Sequence, residues 1–451
     1  MAKTYESYKD SGIAWIGEIP SEWKVSRYKF YTTNRMGETI LASDTTDVGI
    51  PIYSATQDDS IFGYIQNPKV ILKKGDIVIP ARGNSIGYAT QIKDEIATCS
   101  QTTICSTNIH GINSRFLFYC IYGLKDDWFR YDGSAIPQIT VDQVKNNVLP
   151  LPSKQEQHSI ASFLDTKCGE IDSLISLQEE MISELQAYKQ SVITEAVTKG
   201  LDPNAKMNCC ASREKNDACI SSSETQPAIE RKFKDSGVEW IGEIPETWKY
   251  AKLKNIINYI ESGVSVNAGL EEVGPNDIGV LKTSSVSKNV FIPYECKKVF
   301  ENEINRVSCP VKANTIIVSR MNTPELVGAC GYVDRDYDNI FLPDRLWQVH
   351  FIESVYVKYY WYYLISKRTK SYFSSLSSGT SSSMQNISQP QFQGAPIAVP
   401  PLSEQQAIAS YLDEKTSQID SLISLKQQKI DELKSYKKSI IYEYVTGKKR
   451  V

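Results

Sequence analysis

Histidine is scarce in this chain: three in 451 residues, His110, His158 and His350, each in an unrelated context. They offer no pair for proton transfer or metal ligation. Ten cysteines occur, but none falls in a Cys-x-x-Cys spacing, and their scatter is not that of a disulfide framework. Adjacent Cys209 and Cys210 have no second pair to complete a zinc site, so no metal is expected. Gly-x-x-x-x-Gly-Lys-Ser/Thr loops, Gly-x-Ser-x-Gly elbows, His-Glu-x-x-His helices and Gly-x-Gly-x-x-Gly turns are absent. These absences point away from an enzyme acting on its own. No apolar run approaches a membrane span and the opening MAKTYESYKD has no signal-peptide core, so a cytoplasmic chain with no membrane partner is expected. A net charge of −3 argues against a uniformly basic, non-specific nucleic-acid binder.

What is present is said twice. Residues 8–24 read YKDSGIAWIGEIPSEWK, and residues 233–249 read FKDSGVEWIGEIPETWK. A second pair of markers follows: PSKQEQHSIASFLDTKCGEIDSLISL from residue 152, and PLSEQQAIASYLDEKTSQIDSLISL from residue 401. Between the markers, roughly 25–148 and 250–396, the two copies barely resemble each other. A duplicated frame with unrelated inserts implies two binding heads on one scaffold. His158, the one histidine in a repeated segment, faces Gln406 in the second copy, which again argues against catalysis.

The segments after each insert carry apolar or long-stemmed residues at 4-3 spacing, as in Ile160, Leu164, Ile171, Leu174 and, in the second copy, Ile408, Leu412, Ile419, Leu422. Such a seam predicts long coiled-coil helices. Ile175 and Ile182, matched by Ile423 and Ile430, widen the stripe, which suits a helix contacted from two sides. About 45 residues would give a rod of about 65 Å. Ser153 with Glu156 predicts a capping box at the first start, and Gly200 and Gly447 close the rods. The inserts instead alternate apolar and β-branched residues with polar ones (VILKKGDIVIPA at 70–81, ANTIIVSR at 313–320), followed by aromatic helical runs at 115–124 and 355–366. Each insert is therefore read as a mixed domain, a twisted sheet with a few helices, and both are slightly basic. Residues 200–232 are polar and aperiodic, a flexible linker.

The frame resembles the DNA-specificity subunit of Type I restriction-modification systems. The resemblance rests on Trp-x-Gly-x-Ile-Pro, a variable domain, then Glu156-Gln157, Leu164-Asp165 and Ile171-Asp172, repeated as Glu404-Gln405, Leu412-Asp413 and Ile419-Asp420. It spans nearly the whole chain. Gly75-Asp76-Ile77 through Arg82 fits the family's Gly-Asp-Ile…Arg pattern; its partner Ala313-Asn314-Thr315 through Arg320 lacks the Gly-Asp, so a different turn is expected there. The resemblance implies an α+β fold: two target-recognition domains separated by two long antiparallel coiled-coil helices, with a pseudo-two-fold internal repeat. The implied division is 1–152 for the first recognition domain, 153–199 for the first spacer helix, 233–401 for the second domain and 402–447 for the second helix. It further implies a non-catalytic chain whose two domains read the halves of a split, asymmetric site on double-stranded DNA. The helices dock two methyltransferase subunits, and restriction subunits join them. S-adenosylmethionine belongs to the methyltransferase partner, no cofactor to this chain, and the methyl group goes to adenine N6. Two reading heads related by a two-fold axis would meet DNA half-sites about one helical turn apart.

Base edges need Arg, Asn and Gln, phosphates take Ser, Thr and Lys, and loops at strand ends carry such groups best. In the first domain this selects Tyr53, Ser54, Thr56 and Gln57, then Arg82, Asn84 and Ser85, then Gln101 and Thr102, and Gln138. In the second it selects Lys282, Thr283 and Ser284, then Arg320, Asn322 and Thr323, then Arg345 and Gln348, and Ser383, Gln385 and Asn386. For partner subunits the apolar helix positions are Ile171, Leu174, Ile175, Ile182 and Leu185, and Ile419, Leu422, Ile423, Ile430 and Leu433. The rival reading is a non-catalytic coiled-coil adaptor with two protein-binding domains. The Arg/Asn/Gln/Ser content of the loops leans against it.

Overall fold

The computed structural model describes residues 4–56, 60–108, 111–129, 137–201, 231–269, 271–381 and 384–451. It divides into two compact units: residues 1–181 with 425–451, and residues 182–424. The expected linker, with Cys209 and Cys210, lies for residues 202–230 outside the described residues.

In the first unit the frame segment forms the hairpin β1 (Tyr8–Asp10) and β2 (Glu18–Pro20), then β3 (Lys24–Arg27) and β4 (Thr32–Met36). The insert adds β5 (Ile50–Tyr53), β6 (Ile61–Ile65), β7 (Leu72–Lys73), β8 (Ile77–Pro80), β9 (Thr90–Gln91), β10 (Ile96–Cys99) and β11 (Thr103–Asn108). Helices α1 (Ser114–Trp128) and α2 (Val141–Asn146) follow, then β12 (Val148–Leu151), which pairs back onto β3. The long helix α3 spans Lys154–Lys199. Two four-stranded sheets result, in the orders β4-β11-β8-β9 and β6-β5-β10-β7. Strand β8 shows why its run is apolar on both faces. Ile77 and Ile79 enter the main core with Phe116, Leu117 and Ile121 of α1, whereas Val78 enters a smaller core with Leu72, Ile92 and Ala97.

The second unit repeats this with different residues. It runs β13 (Phe233–Asp235), β14 (Glu243–Pro245), β15 (Lys249–Lys252), β16 (Ile257–Ser262), β17 (Gly279–Leu281), β18 (Cys296–Lys298), β19 (Pro310–Val311), β20 (Thr315–Ser319) and the short β21 (Met321–Asn322). Next come β22 (Cys330–Val333), β23 (Tyr337–Phe341) and β24 (Leu346–Phe351), and helices α4 (Val357–Ile365) and α5 (Lys367–Leu376). Strands β25 (Ser378–Ser381) and β26 (Met384–Asn386), helix α6 (Gln389–Gln393), β27 (Pro396–Val399) and helix α7 (Leu402–Val445) complete it. The sheet orders β16-β24-β20-β22 and β18-β17-β23-β19 match those of the first unit strand for strand. Ile316 and Val318 of β20 again face the main core and Ile317 the smaller one. The aromatic run 359–363 is core: Tyr359, Tyr360, Tyr362 and Tyr363 are all buried on α4. Helix α5 and the β21-β26-β25 sheet are elements that the first unit does not show among its described residues.

The different turn expected before β20 is not found: Gly75 N donates to Ile92 O at 3.0 Å, and Asn314 N donates to Val333 O at 2.8 Å in the same place. Gly75 carries φ +91° ahead of β8, whereas Asn314 carries φ +55° ahead of β20. Asparagine tolerates the left-handed region, so it takes the place of the glycine and the turn is kept.

Within each unit a stretch of α3 lies antiparallel to a stretch of α7. In the first, Lys437 grips both oxygens of Asp172 at 2.7 Å, and Lys426 donates to Gln178 at 3.2 Å. In the second, Lys189 grips both oxygens of Asp420 at 2.7 Å. The capping box expected at Ser153 is only half made. Ser153 Oγ accepts from Glu156 N at 3.3 Å, but the Glu156 carboxylate is engaged elsewhere, by Tyr5 and Trp23. Gly200 and Gly447, at φ +74° and +72°, end the helices as expected. Among the described residues no helix is long and apolar enough to cross a membrane.

Candidate nucleic-acid interface

The repeated motif residues tie each insert to its own helix. Trp23 Nε1 donates to Glu156 at 3.0 Å, and Trp248 Nε1 donates to Glu404 at 2.8 Å. One residue on, Gln157 Oε1 accepts from Asn113 N at 2.9 Å, and Gln405 Oε1 accepts from Tyr356 N at 2.8 Å. Two turns further, Asp165 takes Arg115 at 2.5 Å and Tyr119 at 2.8 Å; Asp413 takes Lys358 at 2.6 Å and Tyr362 at 2.7 Å. A buried or half-buried polar group must find a partner, so these positions are fixed by anchoring while the inserts are free to vary.

What varies is collected at strand ends. In the first unit Ser54 shares a 2.9 Å hydrogen bond with Ser100, whose hydroxyl also meets Thr102 at 2.8 Å. Ser85 is buried, and its Oγ donates to Ala55 O at 2.9 Å, stapling the 82–86 loop to the 53–56 loop. Gln138 pairs with Arg82 in an isolated antiparallel bridge, and Ala81 N donates to Thr102 O at 2.9 Å. Four separate stretches of sequence thus converge on one edge. Arg82, Asn84, Gln101 and Gln138 stand exposed there, with Gln101 accepting from Thr39 at 2.8 Å. Ser85 is a clamp rather than a free contact, because its hydroxyl is spent on Ala55. Tyr53 is buried and its hydroxyl donates to Asp94 at 2.8 Å, so it too supports the loop rather than reading from it. Gln57 lies outside the described residues.

In the second unit Arg320 N donates to Arg345 O at 3.2 Å, and Ile387 N donates to Arg320 O at 3.0 Å. Asn322 stands opposite Gln385 and Met321 opposite Asn386 on β21 and β26. Arg320, Asn322, Arg345, Gln385 and Asn386 therefore form one patch, with Thr323 N capped by Asn322 Oδ1 at 2.9 Å. Arg320 Nε and Asn386 Oδ1 are buried without a partner among the described residues. Lys282 and Ser284 both bear on Glu295, at 3.6 and 2.7 Å, and the Ser284 hydrogen bond with the Lys282 charge draws that carboxyl below its usual range; Thr283 lies between them, half-buried. Gln348 is a correction. It is fully buried on β24, accepts from Lys312 N at 2.9 Å and donates to Pro310 O at 3.1 Å, so sheet hydrogen bonds consume it. Ser383 lies outside the described residues.

The helix positions also sort. Ile171, Ile419 and Ile430 are buried and are not available to a partner. Ile175, Ile182, Leu185, Ile423 and Leu433 are half-buried. Leu174 and Leu422 are both 48 % exposed, so they lie outside the seam that their heptad spacing assigned them. Leu177 and Leu425, which that spacing missed, are exposed beside them, as are Tyr188 and Tyr436. The same three positions of the repeat are apolar and uncovered in both copies. Their shared exposure is not legible from the heptad spacing, which assigned Leu174 and Leu422 to the seam.

The family model for the Type I restriction modification DNA specificity domain matches twice, over residues 20–187 and 245–435, and the chain belongs to that family. It is 25 % identical over 444 residues to the Type I restriction enzyme MjaVIII specificity subunit of Methanocaldococcus jannaschii, covering 96 % of this chain and 94 % of that protein. It is 28 % identical over 187 residues to the EcoEI specificity subunit of Escherichia coli, covering 41 % of this chain and 32 % of that one. A chain solved in work on the "Structural basis underlying complex assembly and conformational transition of the type I R-M system" shares the fold, with TM-score 0.62, 14 % identity, and 95 % and 98 % of the two chains covered. The resemblance carried by the repeated motifs is thus family membership.

Proposed function

We propose that this chain gives a Type I restriction-modification complex its DNA specificity. Each unit reads one half of a bipartite, asymmetric site on double-stranded DNA. The convergence of four loops in the first unit, and of the Arg320–Asn386 patch in the second, carries this reading. Arg320 Nε and Asn386 Oδ1, buried with no partner among the described residues, are a donor and an acceptor held ready, and such groups are costly unless a ligand completes them. Unlike residues in like places make the two halves of the target differ.

The exposed pairs Leu174/Leu422, Leu177/Leu425 and Tyr188/Tyr436 support docking of two methyltransferase subunits, one on each copy of the motif. Those subunits hold S-adenosylmethionine and methylate adenine N6; restriction subunits join them in the cytoplasm. The chain itself performs no bond chemistry. The test is selection of binding sites from random duplexes by the full-length chain with its methyltransferase. Two short, unlike motifs at fixed separation are expected; one continuous motif, or no selection, contradicts the reading.

A further inference from the structure

Next to the Lys282-Thr283-Ser284 loop, the chain turns through Pro293 and presents Tyr294 with 78 % of its surface exposed. Its neighbour Glu295 holds that loop: Lys282 N donates to Glu295 O at 2.9 Å, and Ser284 Oγ to the carboxylate at 2.7 Å. Tyr294 is therefore an uncovered ring on a fixed base. Its surroundings are cationic. Lys282 lies 3.6 Å from the single carboxylate of Glu295, Lys288 follows the same loop, and Lys297 lies on β18, the strand that Tyr294 leads into.

The first unit also exposes apolar side chains on the corresponding strand. Strand β6 pairs antiparallel with β5 as β18 does with β17, and each follows a candidate reading loop. There Ile61 and Phe62 are 40 % and 52 % exposed. Two inserts without sequence likeness both expose large side chains on or just before this strand, Ile61 and Phe62 within β6 and Tyr294 two residues ahead of β18, and neither core uses them. Exposure repeated in that way calls for a ligand with flat apolar faces. The lysines around Tyr294 call for one that is also anionic. Nucleic-acid bases with their phosphates satisfy both demands.

We propose that Tyr294 stacks on, or wedges beside, a base of the second half-site, with Lys288 and Lys297 on the flanking phosphates. This rests on the DNA-reading function above and adds a contact outside the Arg320 patch. A base–aromatic contact responds to loss of the ring and not to loss of the hydroxyl.

The experiment uses the full-length chain with its methyltransferase, and duplexes carrying 2-aminopurine at successive positions of the second half-site. Wild-type protein should brighten the probe at one step, by unstacking it. Tyr294→Ala should abolish that signal and weaken binding about tenfold or more, while Tyr294→Phe keeps both. Lys297→Ala should weaken binding and flatten its salt dependence. If wild type selects its site but Tyr294→Ala binds equally well with the same fluorescence, Tyr294 serves something other than DNA and the inference falls alone. If wild type selects no sequence, the inference falls together with the function it rests on.

Discussion

Trp23 Nε1 donates to the Glu156 carboxylate at 3.0 Å, across 133 residues of sequence, and Tyr5 donates to the same carboxylate at 2.6 Å. One glutamate at the start of α3 thereby holds the frame that precedes the variable insert. Glu156→Ala should destabilise the first unit by about 1–3 kcal/mol, the cost of leaving half-buried donors unpaired. Glu404→Ala should do the same to the second unit through Trp248 and Arg231. Denaturant titration of the two variants checks this; unchanged midpoints would show that the anchors are dispensable.

Arg320→Ala should weaken binding by about 1–3 kcal/mol, and only for sites with an intact second half. Arg82→Ala should act on the other half. Competition binding with half-site duplexes measures both. Equal loss on unrelated DNA would make either residue a phosphate contact.

Gln348→Ala should lower stability and leave base preference unchanged. Its amide completes Lys312 N and Pro310 O inside the sheet, and truncation orphans both, at about 1–3 kcal/mol. A shifted recognition sequence in a normally stable variant would contradict this.

Leu174→Asp and Leu422→Asp should release methyltransferase while both units stay folded, because each side chain is half exposed and outside its core. Co-purification from cells expressing both proteins is the readout. Retention of the partner by both variants would defeat the docking proposal.

Glu38 supplies a pH dependence. Partial burial pushes its carboxyl up, but the Lys69 and Val70 amides at 2.9 and 3.1 Å and the Thr98 hydroxyl at 2.8 Å outweigh this and hold it below the usual range. A depressed folded-state value means stability present above the unfolded value and lost as pH falls through the folded one. Thermal melts from neutral to acid pH should therefore fall less steeply for Glu38→Gln than for wild type. Parallel curves would contradict it.

Much of the fold was legible, because it was written twice. The duplicated markers predicted the two helices, and the apolar runs at 70–81 and 313–320 contain the strands β8 and β20. The sheet order was not legible, since strand pairing depends on long-range contacts that period-2 patterning does not record. The candidate loops were found by residue type, but type does not report burial. Ser85, Tyr53 and Gln348 carry the right chemistry and spend it internally. The heptad count failed at Leu174 and Leu422, because each helix is covered only over part of its circumference. Nor could Glu156 be seen as the acceptor for Trp23, whose place in the frame gave no sign of its partner.

The most direct test of the central claim is genome-wide mapping of methylated adenine in the host, with and without this gene. Loss of one split, asymmetric motif is the predicted result. An unchanged methylation pattern, in cells shown to express the chain and its methyltransferase, would contradict it.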